Sequence, residues 1–245
     1  MLDLASAYTE TQAALSGLVR ELPAEELATV VPGSPAWTVQ DVVAHLTGIA
    51  ADVSGGTIPP ELDILGSMSD PAQAALRDDM TARQVSSRRG RPLQEVLEEW
   101  DAHRDLLVAM IRRERPWPRV VPFVDAIVVT DLAVHAQDVR NAVGRPGDRQ
   151  SPGVSVGLVG YAAALGMRLD AAGLLALRLR YDGKERVAGQ GEPGATLTAD
   201  RYELFRALSG RRSREQILAL DWEGDAERYA DLLPAYGPRE DAVIE

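Results

Sequence analysis

The chain has 245 residues, of which 45% are apolar and 26% are charged, and its formal net charge is −11. These fractions are typical of folded globular proteins and exclude extensive disorder. Recognition of a phosphate backbone needs a basic face, so the acidic balance predicts that nucleic acid is not a partner.

The sequence contains no cysteine, which excludes disulfides, thiolate metal ligands and a protein thiol nucleophile. Any sulfur chemistry would therefore need a small-molecule thiol. No apolar run reaches the roughly 18 residues that a membrane span needs, since glycines interrupt the longest one, 154–167. The N-terminal segment carries Asp3 and Glu10 and lacks the basic start of a secretory signal. We therefore expect a cytoplasmic protein without a membrane partner.

The first part of the chain is predicted to be helical. Thr38 is a suitable N-cap for an amphipathic helix that Gly55 and Gly56 end, and the Pro32–Pro35 segment before it is predicted to be a loop. Apolar spacing predicts further helices over 3–21, 71–87, 92–114 and 122–143. Four long amphipathic helices with one longer connection predict an antiparallel four-helix bundle over 1–149.

The pattern changes after Gly147. A helix rich in small residues is predicted over 153–170, strand alternation follows over 175–181, and Asp182-Gly183 predicts a hairpin turn. Further elements are predicted as a strand at 195–198, a helix opened by a capping box of Asp200 and Glu203, and a second capping box of Ser213 and Gln216. Residues 150–245 therefore predict a small α+β domain, and the whole chain is predicted to be an α+β protein.

One stripe of the helix over 122–143 changes from apolar to ionisable along its length. At steps of three or four residues it reads Val124, Val128, Asp131, His135, Asp138 and Ala142. Burying carboxylates and an imidazole costs several kcal/mol, as an order of magnitude, unless they are paired or bind a metal. Asp131 and His135 can reach a single ion from their i, i+4 positions, and they can equally form a hydrogen-bonded pair without a metal.

The other two histidines give weaker signals. His45 projects beside Ile49 at the edge of an apolar stripe, from which it can turn into the bundle or stay at its rim. His103 lies near Glu99 and Asp101, a setting that predicts a surface histidine among ion pairs.

Two segments carry a resemblance to a known family. The string WTVQDVVAHL, residues 37–46, resembles the W-(S/T)-x-x-(D/E)-(L/V)-x-x-H-(L/I) motif of the DinB and maleylpyruvate isomerase N-terminal fold. The string DLAVHAQDVR, residues 131–140, followed by Gly144-Arg145-Pro146, looks like the family's second motif. The C-terminal segment 196–213 is similar to the family's C-terminal domain. Together they identify the mycothiol-dependent maleylpyruvate isomerase-like family.

This resemblance implies a divalent metal, usually zinc, held by His45, Asp131 and His135. Position 131 departs from the pattern, because glutamate is expected there more often and aspartate is one methylene shorter. Asp138 is a candidate for orienting a ligand histidine, or it pairs with Arg140 or Arg145. Arg211 matches the family's Gly-Arg and is a candidate for binding an acidic substrate, or it only stabilises a helix C-terminus.

The predicted function is a metal-dependent enzyme that uses a low-molecular-weight thiol such as mycothiol for isomerisation or S-transfer on an electrophilic small molecule. A dicarboxylate substrate would need a cation, either Arg211 or an arginine of 77–91. Two alternatives stay open: a binding or regulatory protein that keeps the fold without catalysis, and a hydrolase that uses metal-bound water.

Overall fold

The structure is a computed structural model that describes residues 3–245. The chain divides into two compact units, one ending at Gly153 and the other comprising Val154–Glu245. The predicted domain boundary, between 149 and 150, lies just before this division.

The first unit is mainly helical. Its elements are α1 (Leu4–Arg20), α2 (Ala24–Leu27), β1 (Val30–Val31), β2 (Ser34–Thr38), α3 (Val39–Gly55), α4 (Pro71–Ser86), α5 (Leu93–Ile111) and α6 (Val124–Ala142). The four longest helices of this unit are α1, α3, α5 and α6. Both α1 and α3 pack against α5 and against α6. These helices form the bundle, and α4 packs against α3 at its side. The helical pattern predicted for this region is confirmed.

Local hydrogen bonds fix the start of α3 at Thr38, the predicted N-cap, and Asp41 adds a reciprocal bond that was not predicted. Thr38 accepts from the backbone N–H of Asp41, and the Asp41 carboxylate accepts from the N–H of Thr38. Desolvation raises the pKa of Asp41, but hydrogen bonds from Arg89 and Thr38 outweigh it and hold this pKa below its usual value. The helix ends at Gly56, whose positive φ of 74° suits a residue without a side chain.

The segment before α3 differs from the prediction. β1 and β2 pair as a short antiparallel hairpin, so Ser34 and Pro35 belong to a strand and the predicted loop was wrong there. Proline is tolerated because the sheet has only two strands, and each strand is an edge. The long connection after α3 also contains a 3₁₀ turn, Gly66–Met68, that the sequence did not indicate.

The second unit is a mixed α+β structure, which confirms the predicted fold class. Its elements are α7 (Pro152–Ala171), β3 (Ala176–Tyr181), β4 (Lys184–Ala188), β5 (Pro193–Thr198), α8 (Arg201–Leu208), α9 (Arg214–Leu218), β6 (Asp221–Glu223) and α10 (Glu227–Ala230). The sheet order is β4-β3-β5-β6, with β3 and β5 parallel and the other pairs antiparallel. The predicted hairpin turn is present, with positive φ at Asp182 and Gly183.

Hydrogen bonds of Asp200, Glu203 and Arg212 hold α8 in place. Asp200 caps the helix by accepting from the N–H of Glu203. The Glu203 carboxylate is engaged by Arg212 at 2.6 and 2.8 Å, so the reciprocal half of the predicted capping box is not the interaction it makes. At Ser213 and Gln216 both halves of the predicted box are formed.

Helix α7 is long and apolar enough to cross a membrane, by length and composition alone. Within its most apolar window 56% of the residues are buried in the protein, as in the core helix of a globular domain. Its glycines allow close packing, and a Cβ on Gly157 would lie 2.4 Å from Cε2 of Phe205.

We expect Gly157→Ala to destabilise the protein by about 1–3 kcal/mol, because the added methyl forces the buried Phe205 ring to move. Gly17, also within a helix, has nothing within 4 Å of the position of an added Cβ. Gly17→Ala should therefore stabilise by about 0.5–1 kcal/mol through helix propensity alone. Urea denaturation of the two variants measures both changes, and equal effects would contradict the assigned packing.

Candidate metal centre

The structure brings three of the predicted site residues together inside the helical unit. His45 lies near the middle of α3, and Asp131 and His135 lie one turn apart on α6. The packing of α3 against α6 places one ligand atom of each residue within 4.8 Å of the others. His45 is only 3% exposed, so its side chain has turned into the bundle rather than staying at the rim.

The distances between the donor atoms suit a small divalent ion. His45 Nε2 lies 3.3 Å from Asp131 Oδ2, and His135 Nε2 lies 3.8 Å from Asp131 Oδ1. Ligand atoms bound to a tetrahedral zinc ion at about 2.1 Å are themselves about 3.4 Å apart. Small side-chain adjustments would therefore let two imidazole nitrogens and one carboxylate oxygen, a common zinc donor set, hold the ion.

Asp138 lies behind His135. Its side chain is fully buried, and its Oδ2 is 3.2 Å from Nδ1 of His135. The two arginines that were its alternative partners have other carboxylates beside them: Arg140 pairs with Asp148, and Arg145 pairs with Glu26. A carboxylate beside Nδ1 directs the Nε2 lone pair of the same ring toward a metal. Asp138 thus has the placement of an orienting residue.

Gly33, in the turn between β1 and β2, makes room for this carboxylate. A Cβ on Gly33 would lie 2.5 Å from Oδ1 of Asp138. The β1–β2 hairpin therefore closes over the α6 side of the centre, a role that the prediction of a simple loop did not include.

His45 has a similar partner that the sequence analysis missed. Its Nδ1 lies 2.8 Å from Oε1 of Gln84, a buried residue of α4. The Gln84 amide in turn donates from Nε2 to Oδ2 of Asp52 at 2.6 Å. A glutamine on an amphipathic helix gives no signal in the sequence that separates it from a surface residue.

Trp37 is the second contact that sequence reasoning missed. Its ring lies 4.8 Å from the His45 ring and 5.9 Å from the His135 ring, measured between centroids. It belongs to the motif quoted above, so its place in the motif was the available signal. Trp37 forms an apolar wall that keeps both imidazoles in place.

Tyr8 is a buried ionisable residue of α1 whose pKa depends partly on the charge of Asp131. Burial raises the pKa of Tyr8; a hydrogen bond from Nε1 of Trp100 opposes this shift, and the negative charge of Asp131 adds to it. The hydroxyl therefore stays protonated, and Tyr8 adds no second negative charge beside Asp131.

The arginines of 77–91 were candidates for binding a substrate carboxylate, and they differ in whether they are already in ion pairs. Most are in ion pairs: Arg77 with Asp78, Arg89 with Asp41, and both Arg88 and Arg91 with Glu99. Arg83 instead lines a surface cavity of about 410 Å³ together with Trp37 and Arg89. Arg89 of this cavity is paired with Asp41, whereas no ion pair is seen for Arg83 among the described residues.

The remaining predicted residues lie elsewhere. Arg211 is in the second unit, where it is buried and donates from Nη1 to the carbonyl oxygen of Ser209 at 2.7 Å. Its role in catalysis stays a prediction. His103 is half-buried, and its Nδ1 lies 2.8 Å from Oγ of Ser54. The expected ion pairs flank it, since Arg104 pairs with Asp101 and Asp105, but the contact of His103 itself is with Ser54. Its expected neighbour Glu99 is already engaged by Arg88 and Arg91.

Fold and site together define a helical-bundle protein with a donor set of two buried histidines and one half-buried carboxylate, followed by an α+β unit. The sequence profile of the mycothiol maleylpyruvate isomerase N-terminal domain matches residues 8–140, more than half of the chain. The chain belongs to this family, as the two motifs predicted.

Solved structures show the same fold. The crystal structure of the mycothiol-dependent maleylpyruvate isomerase is similar, with a TM-score of 0.52 and 14% identity over 85% of this chain and 88% of that one. A histidine-to-alanine mutant of that isomerase gives a TM-score of 0.53 and 12% identity over 84% and 88%. A comparison with curated protein sequences gives no match.

Proposed function

We propose that this protein is a zinc-dependent enzyme that uses a low-molecular-weight thiol of the mycothiol type to isomerise, or to add sulfur to, an electrophilic small molecule. The observation that carries the proposal is the convergence of His45, Asp131 and His135 on one point. Three protein ligands leave a coordination position for another molecule, as in catalytic rather than structural zinc sites. The Asp131 side chain is 29% exposed, so the donor set is partly open to solvent at this carboxylate.

A bound zinc ion would lower the pKa of a coordinated thiol and supply a thiolate near neutral pH. The chain itself contains no cysteine, so the sulfur has to come from the small molecule. In an isomerisation the thiolate forms a C–S bond to an electron-poor alkene and a proton is taken up at the neighbouring carbon. Rotation about the new single bond, loss of that proton and release of the thiolate return the alkene in the other geometry.

The other roles in the proposed reaction are assigned to side chains of this protein. His45, Asp131 and His135 would bind the ion, and Asp138 would orient His135 through Nδ1. We assign Arg83, beside the cavity at Trp37, to a carboxylate of the substrate. Arg211 stays a candidate for the same task. We also propose that the enzyme acts in the cytoplasm on small molecules, without nucleic acid or membrane partners.

The test is an isomerisation assay with maleylpyruvate, the substrate in the name of the related enzyme. We expect turnover only when zinc and mycothiol are both present, and loss of turnover after chelation with recovery on adding zinc. Full turnover by metal-free protein without thiol would contradict the proposal. Stoichiometric zinc without turnover of any thiol-dependent substrate would favour a binding or regulatory protein.

A further inference from the structure

We infer that Gln84, held by Asp52, is a positioning residue that fixes which nitrogen of His45 carries the proton. The inference rests on the proposed metal site, and it concerns two residues outside the donor set. The contacts run in one line from Asp52 on α3 through Gln84 on α4 to His45 on α3.

The contact with Asp52 determines which way the NH₂ group and the carbonyl oxygen of Gln84 point. An ionised carboxylate only accepts hydrogen bonds, so the NH₂ group of Gln84 has to face Asp52. The distance of 2.6 Å between Nε2 of Gln84 and Oδ2 of Asp52 is that of a charge-assisted hydrogen bond. The carbonyl oxygen of Gln84 is thereby turned toward His45.

The direction of the amide then determines the tautomer. A carbonyl oxygen 2.8 Å from Nδ1 of His45 requires a proton on Nδ1. In the neutral ring the lone pair is therefore on Nε2, the nitrogen that faces Asp131 at 3.3 Å. A metal ligand needs this lone pair, so the amide prepares His45 for binding before any ion arrives.

The packing around Gln84 shows that its place is tightly fitted. Gln84 as a residue is 3% exposed, and a Cβ on Gly48 would lie 2.4 Å from Cβ of Gln84. Gly48 lies one turn after His45 on α3, so the glycine permits α4 to approach α3 beside the ligand histidine. A buried amide left without hydrogen-bond partners destabilises the fold, so both contacts of Gln84 are needed.

The test compares Gln84→Met, which keeps the size of the side chain but cannot accept from His45 or donate to Asp52, with the intact protein. We expect the zinc dissociation constant, measured by competition with a chromogenic chelator, to rise about 10- to 100-fold. In the metal-free protein, the ¹⁵N chemical shifts of the His45 ring should change from one dominant Nδ1–H tautomer to a mixture. Gln94→Met, at an exposed glutamine that donates to Glu98 on α5, is the matched control and should change neither value.

Unchanged zinc affinity and an unchanged tautomer in Gln84→Met would overturn the inference. If circular dichroism shows that this variant does not fold, Asp52→Ala decides instead, since it frees the amide to rotate and should produce the same mixture of tautomers. Failure of the intact protein to bind zinc would refute the proposed function. The tautomer measurement would then still test the role of Gln84 separately, because it needs no metal.

Discussion

Replacing His45 with alanine is expected to abolish stoichiometric zinc binding while the helical bundle stays folded. The variant removes one of three protein ligands, and Asp131 and His135 on α6 are left to hold the ion alone. Loss of an outer contact to a ligand costs about 10- to 100-fold in metal affinity, so loss of a ligand should exceed that range. Elemental analysis after zinc loading and gel filtration measures the result.

His103→Ala is the matched control for this variant. His103 hydrogen-bonds to Ser54 and lies outside the donor group, so its removal should leave the zinc content unchanged. Circular dichroism should show the same helix content in both variants. Undiminished zinc content in His45→Ala would mean that the ion binds elsewhere.

The second large effect is expected in the α+β unit, where Glu245→Gln should destabilise the protein by about 3–5 kcal/mol. The Glu245 side chain is 1% exposed and accepts from Nε of Arg206 at 2.9 and 3.0 Å. Arg212 and the hydroxyl of Tyr202 also donate to it, at 3.1 and 3.0 Å. Glutamine keeps the size but removes the negative charge that the buried Arg206 guanidinium contacts.

Urea denaturation followed by circular dichroism measures this loss as a lower transition midpoint. Glu240→Gln, an exposed carboxylate only five positions away, should change stability by no more than about 0.5 kcal/mol. Equal midpoints for the Glu245 and Glu240 variants would contradict the buried ion pair. Separate transitions for the two units would show which of them unfolds first.

The elements that the sequence predicted well are those with strong local signals. The Thr38 cap, the helical spacing of α3 and α6, and the Asp182-Gly183 turn each depend on residues within a few positions of one another. Short elements without such signals were missed: β6 has three residues, two of them acidic, and its pairing with β5 is a long-range contact.

The candidate site likewise contains residues that a local pattern predicted and residues that it did not. Asp131 and His135 were found from their spacing on one helix, and His45 joined them through the family motif. Gln84 and Asp52 were missed, because their roles depend on how closely α4 approaches α3, which no local pattern encodes. The shorter carboxylate at 131 does not prevent convergence, since its Oδ2 reaches within 3.3 Å of Nε2 of His45.

The central claim is that imidazoles 45 and 135 and carboxylate 131 bind one metal ion, and zinc K-edge X-ray absorption of the zinc-loaded protein tests it most directly. We predict a spectrum of two imidazole nitrogens and one carboxylate oxygen at about 2.0–2.2 Å, completed by an exchangeable ligand. A zinc ion surrounded only by water oxygens, or no retained zinc in the folded protein, would contradict the account.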